Sequence, residues 1–164
     1  MITMNHSAET QQTFFRILKT EIEQTQSLLD LLRTEYEMLQ SSSSQALQDL
    51  LEKKKQQLIS VETVVTTHNQ FLEQQGLSID KQGTDTFLHQ CNDNEQLLDM
   101  WHRLTSLLEA CRSQNEINGG AVQLNQRHVS QALDILRGIS ERDKTYGPSG
   151  ESRPNSTSKS LGKA

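Results

Sequence analysis

Residues that could carry chemistry are few in this chain, and they do not converge. His89-Gln90-Cys91 brings two possible metal ligands close together, but no second pair follows at the spacing a zinc site needs. Cys91 with His102 offers a nucleophile and a base, yet nothing in the sequence suggests an oxyanion site to go with them. Cysteine on an apolar helix face is usually a small hydrophobe, and Cys111, on the main apolar seam, reads as core. His68 interrupts another seam and reads as half-buried, with its polar edge at the margin. His128 falls on the flank of the last helical segment, where solvent or a partner meets it. Gly119-Gly120 is not a phosphate loop, since no strand precedes it and no Lys-Ser/Thr follows. Trp101 keeps seam phase and reads as core. The expectation is a protein that is not an enzyme, with no catalytic residues, no metal and no cofactor.

What the sequence has in surplus is apolar surface. A stripe runs Leu97, Trp101, Leu104, Leu108, Cys111, Asn115, Asn118, Val122, Asn125, Val129, Ala132, Leu136, in steps of three and four residues. That alternation marks a single helical seam. Gly119 and Gly120 interrupt it, each weakening a helix by about 1 kcal/mol, so they read as a flexible point. Around and beyond them, over residues 117–139, Ile117, Val122, Leu124, Val129, Leu133, Ile135, Leu136 and Ile139 cover more than one helix face. In water such a helix exposes an apolar patch, which usually marks a binding site. The asparagines at 115, 118 and 125 support a partner, because buried asparagines are costly unless paired and can fix register.

The elements that position this stripe are helices. The first is expected from near Ser7 to about Gln40, with the seam Phe15, Leu18, Ile22, Thr25, Leu29, Leu32, Tyr36, Leu39. A four-serine break, 41–44, separates it from the second, where Ser42 and Gln45 form a capping-box pattern. The second seam is Leu47, Leu51, Lys54, Leu58, Val61, Val65, His68, Leu72, and Gly76 closes the helix with Leu77 folding back. A short break between long helices predicts an antiparallel hairpin. Gly76 and Gly83 bracket a loop, and residues 84–91 supply one or two helical turns with Phe87 and Leu88 plugging the end of the hairpin. Asn92 and Glu95 then cap a third long helix that stops at Gly138. At 1.5 Å per residue the hairpin helices span about 50 Å and the third about 67 Å, so its end outruns its neighbours. The predicted fold class is all-α: a long antiparallel hairpin plus a third long helix, a coiled-coil-like bundle with a partly uncovered C-terminal helical segment.

Composition agrees. Hydrophobic residues make up 33% and aromatics 4% of the 164 residues, low for a compact globule but suited to thin helical seams. The net charge of −5 argues against nucleic acid, because phosphate contacts need clustered Lys and Arg. The basic run Lys53-Lys54-Lys55 sits beside Glu52 and reads as a solvated helix face. Two cysteines do not make a disulfide framework. Residues 1–10 lack the apolar core of a secretory signal, and no stretch reaches the ~20 apolar residues of a membrane span. A cytoplasmic protein without membrane insertion is expected. Residues 145–164, rich in Ser, Gly, Pro and Lys, are expected to be a disordered tail behind a helical domain of residues 1–144.

Three stretches then carry a resemblance. They are Asn115-Glu116-Ile117-Asn118-Gly119, the segment from Arg127-His128-Val129 through Leu133-Asp134-Ile135-Leu136 to Arg137-Gly138, and Thr145-Tyr146-Gly147-Pro148-Ser149-Gly150. In this order, behind a long helical hairpin, they resemble the FlgN family of flagellar type III export chaperones over about residues 10–150. The resemblance implies a cytoplasmic chaperone that binds the C-terminal helical segment of hook–filament junction proteins. It would prevent their premature assembly and deliver them to the flagellar export gate. It also implies substrate binding at about residues 115–139, through Ile117, Val122, Leu124, Val129, Leu133 and Leu136, and docking to the gate through Tyr146. A monomer or weak dimer is expected. The alternatives are a self-associating coiled-coil scaffold and a chaperone of another secreted helical protein.

Overall fold

The computed structural model describes residues 7–41, 44–91, 94–136, 144–146 and 152–154. In chain order these form α1 (Ala8–Ser41), α2 (Ser44–Gln74), α3 (Lys81–Gln90), α4 (Glu95–Leu136), β1 (Lys144–Tyr146) and β2 (Ser152–Pro154). The expected all-α architecture is the one observed. The chain divides into two units, Met1–Ala121 and Val122–Ala164.

Local chemistry explains most helix ends. Ser7 caps α1: its hydroxyl accepts from the Thr10 N–H at 3.2 Å. At the end of α2, Gly76 takes φ +70°, which costs a residue without Cβ nothing. Leu77 N–H then donates to the Leu72 carbonyl and Gly76 N–H to the Glu73 carbonyl, both at 2.9 Å. That is the Schellman closure, and Leu77 packs on the core cluster that holds Leu72. Asn94 caps α4, accepting from Leu97 N–H at 3.3 Å and donating to Gln11 of α1 at 2.9 Å. The expected caps Ser42 and Asn92 and the stop at Gly138 lie outside the described residues.

The third element differs from expectation. α3 starts at Lys81, so Gly83 lies within its first turn and not in a loop. Asp80 is the cap, accepting from Gly83 N–H at 2.9 Å and from the Ser78 hydroxyl at 2.7 Å. Those two bonds hold its carboxyl below the usual carboxylate range. A Cβ on Gly83 would stand 1.8 Å from the Ser78 carbonyl oxygen, so this glycine serves a close approach of backbones.

Within Met1–Ala121, cross-helix bonds give the directions. Glu35 meets Lys54 and Glu21 meets His68, so α1 and α2 are antiparallel. Gln11 meets Asn94, Thr25 meets Cys111 and Leu32 meets Asn118, so α1 and α4 run parallel. One core cluster gathers Phe14, Leu18, Ile22, Phe71, Leu72, Phe87, Leu88, Cys91, Leu97, Trp101 and Leu104. Phe14, Phe71 and Phe87 have ring centroids 4.7–5.1 Å apart, a favourable aromatic spacing. A second cluster holds Leu28, Leu29, Leu32 and Cys111.

The seams agree with the sequence reading at Leu18, Ile22, Thr25, Leu29 and Leu32 of α1 and at Lys54, Val61, His68 and Leu72 of α2, and depart from it elsewhere. On α1 the fully buried residue is Phe14 rather than Phe15, and Glu21 and Glu35 join the inward face. On α2, Leu51, Leu58 and Val65 are exposed. Among the residues turned inward are Leu50, Lys54, Gln57, Val61, Val64, His68, Phe71 and Leu72. The reason is polar pairing. Gln57 donates to the Gln24 side chain and carbonyl at 2.8 and 2.9 Å, and Lys54 to Glu35 at 2.6 Å. A hydrophobicity rule passes over such positions.

Val122–Ala164 holds the last part of α4 and the two strands. β1 and β2 pair antiparallel, with Lys144 opposite Pro154, Thr145 opposite Arg153 and Tyr146 opposite Ser152. This ribbon lies in the stretch the sequence reads as disordered; residues 147–151 and 155–164 are outside the described residues.

Candidate functional site

The interior contains one constellation with the order of a catalytic triad. Nδ1 of His68 on α2 stands 2.8 Å from Oε2 of Glu21 on α1, and Nε2 stands 3.1 Å from the Thr84 hydroxyl on α3. Carboxylate, imidazole and hydroxyl are thus in line. All three are buried, Thr84 at 1% exposure, so no substrate atom reaches the hydroxyl. Phe14 packs edge-on against the His68 ring at 5.2 Å and Trp101 at 6.0 Å. The arrangement ties three helices together and satisfies a buried carboxylate. His68 is therefore more deeply buried than its reading as a marginal histidine. Glu21 was missed, although its place between Leu18 and Thr25 on the stripe is a legible signal.

A second polar network ties α1, α2 and α4. Nδ2 of Asn118 donates to the Leu32 carbonyl at 2.8 Å and to Glu35 Oε2 at 2.7 Å, while its Oδ1 accepts from Gln114 at 3.0 Å. Glu35 accepts from Lys54 through its other oxygen at 2.6 Å. Asn118 thus finds its partners inside the fold and does not await one, which corrects its use as a sign of a binding surface. Asn115 is exposed. A paired asparagine at this seam position fixes the register of α4 against α1.

The remaining chemical candidates separate. Cys91 and Cys111 are buried. Burial pushes the Cys91 thiol up to about 11 and raises that of Cys111, so neither supplies a thiolate nucleophile near neutral pH. His89 and His102 line a groove between α3 and α4 with Asp85 and Trp101, but Cys91 does not join them. The Trp101 N–H donates to Asp85 at 2.9 Å, and its ring is core. Among the described residues no group of three or more His, Cys, Asp or Glu could hold a metal ion. Among them, too, no helix is long and apolar enough to cross a membrane.

Five of the six expected binding residues, Ile117, Val122, Leu124, Val129 and Leu133, are exposed. In the first unit, Ile117 is 51% exposed. Gly119 and Gly120 are helical and exposed, and a Cβ at either would meet nothing within 4 Å. In the second unit, Val122, Leu124, Val129 and Leu133 are all exposed, Val129 at 60%. Leu136 is the last residue of α4. Val122, Val129 and Leu133 follow steps of seven and four along one side of the helix, with Leu124 to another side. From 122 to 136 the charged residues are Arg127 and Asp134 alone. A solvated helix face is normally dense in Lys and Glu. This one offers apolar side chains between Gln, Asn and Ser, the composition of a surface that another helix can cover. Tyr146 ends β1.

The profile of the FlgN protein family matches residues 3–154. Among solved structures, a flagella synthesis protein FlgN from Pseudomonas aeruginosa is similar, with 27% sequence identity and a TM-score of 0.61. The likeness covers 76% of this chain and 95% of that one. No curated protein matches the sequence.

Proposed function

The chain belongs to the FlgN protein family, and from that premise we propose that it is a cytoplasmic chaperone of flagellar protein export whose clients are hook–filament junction proteins. The observation that carries the reading is the exposed, nearly uncharged apolar run Val122, Leu124, Val129 and Leu133 on α4. On this reading a junction protein's C-terminal helix is apolar on the face that packs into the finished filament. In the cytoplasm that face needs a temporary cover, and an amphipathic helix beside it supplies one. Titration calorimetry of a peptide spanning that C-terminal helix tests the idea. Saturable binding with a negative heat-capacity change is expected, since apolar surface is removed from water on both sides. Absence of heat at two temperatures, together with an unperturbed α4, contradicts it.

Delivery requires release, and the glycines bear on it. Gly119 and Gly120 weaken α4 at the head of the apolar run, so part of the binding free energy goes into ordering the helix. The double substitution Gly119→Ala/Gly120→Ala meets no steric obstacle. It is expected to raise far-UV helicity and to tighten client binding by up to about thirtyfold, which corresponds to about 2 kcal/mol. Unchanged circular dichroism would count against this role.

Tyr146 is proposed to dock the loaded chaperone at the export gate. Tyr146→Ala should leave client affinity intact and impair secretion of the junction protein. A loss of client affinity in that variant overturns the division of labour.

A further inference from the structure

A second apolar line lies on α2, in the unit Met1–Ala121. Leu51, Leu58 and Val65 are 42, 48 and 36% exposed and stand seven residues apart. The next member, Leu72, is 1% exposed in the cluster that holds Phe87 and Leu88 of α3. The line is therefore covered at one end and bare along the rest. The reason is the length of α3: ten residues, about 15 Å. It is tied to α2 through Thr84 and His68, near the C-terminal end of that helix. Rotating α2 to bury the bare leucines would break the Lys54–Glu35 and Gln57–Gln24 pairs, so their exposure is built in.

A heptad line of Leu and Val is what one helix presents to another in a coiled-coil contact. The charges beside it select the occupant. Lys55 and Glu62 are exposed on one flank of the line, three residues before Leu58 and four after it. An antiparallel second copy of α2, with a two-fold axis at Leu58, sets Leu51 opposite the partner's Val65. It brings Lys55 within one residue's rise, about 1.5 Å, of level with the partner's Glu62. A parallel copy offers no such match, because its two-fold axis runs along the helices and turns the Lys55 and Glu62 flanks of the two copies to opposite sides of the contact. The line is thus self-complementary in one orientation, as an isologous contact must be.

We propose that Leu51, Leu58 and Val65 form the contact of an antiparallel, two-fold homodimer of this chain, oriented by Lys55–Glu62 pairs. This goes beyond the client-binding reading and does not depend on it. The test is the mass of the full chain by light scattering over a concentration series. Passage from monomer to dimer with rising concentration is expected. Leu58→Asp should hold the chain monomeric with an unmoved unfolding midpoint. Lys55→Glu and Glu62→Lys should each weaken the dimer about fivefold to tenfold, since the axis repeats each exposed pair, and the double swap should restore it. Leu58→Cys should link to its own copy under oxidation, a readout that stands even if the aspartate variant unfolds. A monomer at every concentration, a dimer indifferent to Leu58→Asp, or a double swap as weak as the single ones overturns the proposal. So does loss of client binding by Leu58→Asp in a chain that never dimerises, which would give the line to the client.

Discussion

Replacing His68 by alanine is expected to lower the thermal unfolding midpoint by about 10 °C. The substitution strands the Glu21 carboxyl, 4% exposed, without its imidazole partner 2.8 Å away. It also opens a void beside Phe14 and Trp101, whose rings face the imidazole. Breaking a buried pair from one side costs about 3–5 kcal/mol, and in a domain of this size each kcal/mol moves the midpoint by about 2–4 °C. The loss should come from the stranded polar group more than from the missing network. The variant Glu21→Leu/His68→Leu/Thr84→Val should therefore melt near the parent, because well-packed apolar residues can replace a buried polar cluster at little cost. Differential scanning calorimetry of the two variants decides. A His68→Ala midpoint within about 2 °C of the parent would show that Glu21 does not depend on the pair.

The second large effect is on binding. Leu133→Asp places a carboxylate in the centre of the proposed client contact, on a side chain that is 44% exposed in the free chain. Client affinity is expected to fall about hundredfold, the scale of an interface anchor worth about 3 kcal/mol. The unfolding midpoint should stay in place, since substitutions at exposed positions stay within about 0.5 kcal/mol. Ser130→Asp, also exposed on α4, provides the control and should bind nearly as the parent does. A Leu133→Asp variant that binds normally removes the residue from the contact. One that loses its thermal transition places Leu133 in a core.

The features read correctly from the sequence are those whose determinants are local. Gly76 at the end of α2 carries its own instruction, because only a residue without Cβ takes φ +70° freely and Leu77 then closes the turn. Phe87 and Leu88 were placed at the end of the hairpin and are buried there. Gly83 was misread as a loop residue because its role depends on the Ser78 carbonyl, a contact that exists only in the folded turn. The α2 seam was right at Lys54, Val61, His68 and Leu72 and wrong at Leu51, Leu58 and Val65, which are exposed. Gln57 was passed over because it turns inward to meet Gln24 on α1, and such matches between distant segments have no signature in hydropathy. Asn118 follows the same rule: its polarity suggested a partner outside, and Glu35 and Leu32 supply one inside. The apolar run after Gly120 stands out in the sequence because it breaks the usual polarity of a solvated helix; Val122, Leu124, Val129 and Leu133 are exposed, and their role in client binding is a proposal.

Co-purification of the full chain with a hook–filament junction protein, intact and lacking its C-terminal helical segment, tests the central claim most directly. A stable complex with the intact protein that is lost on truncation is the result this account predicts. Equal retention of both forms, or of neither while the chain remains folded, would contradict it.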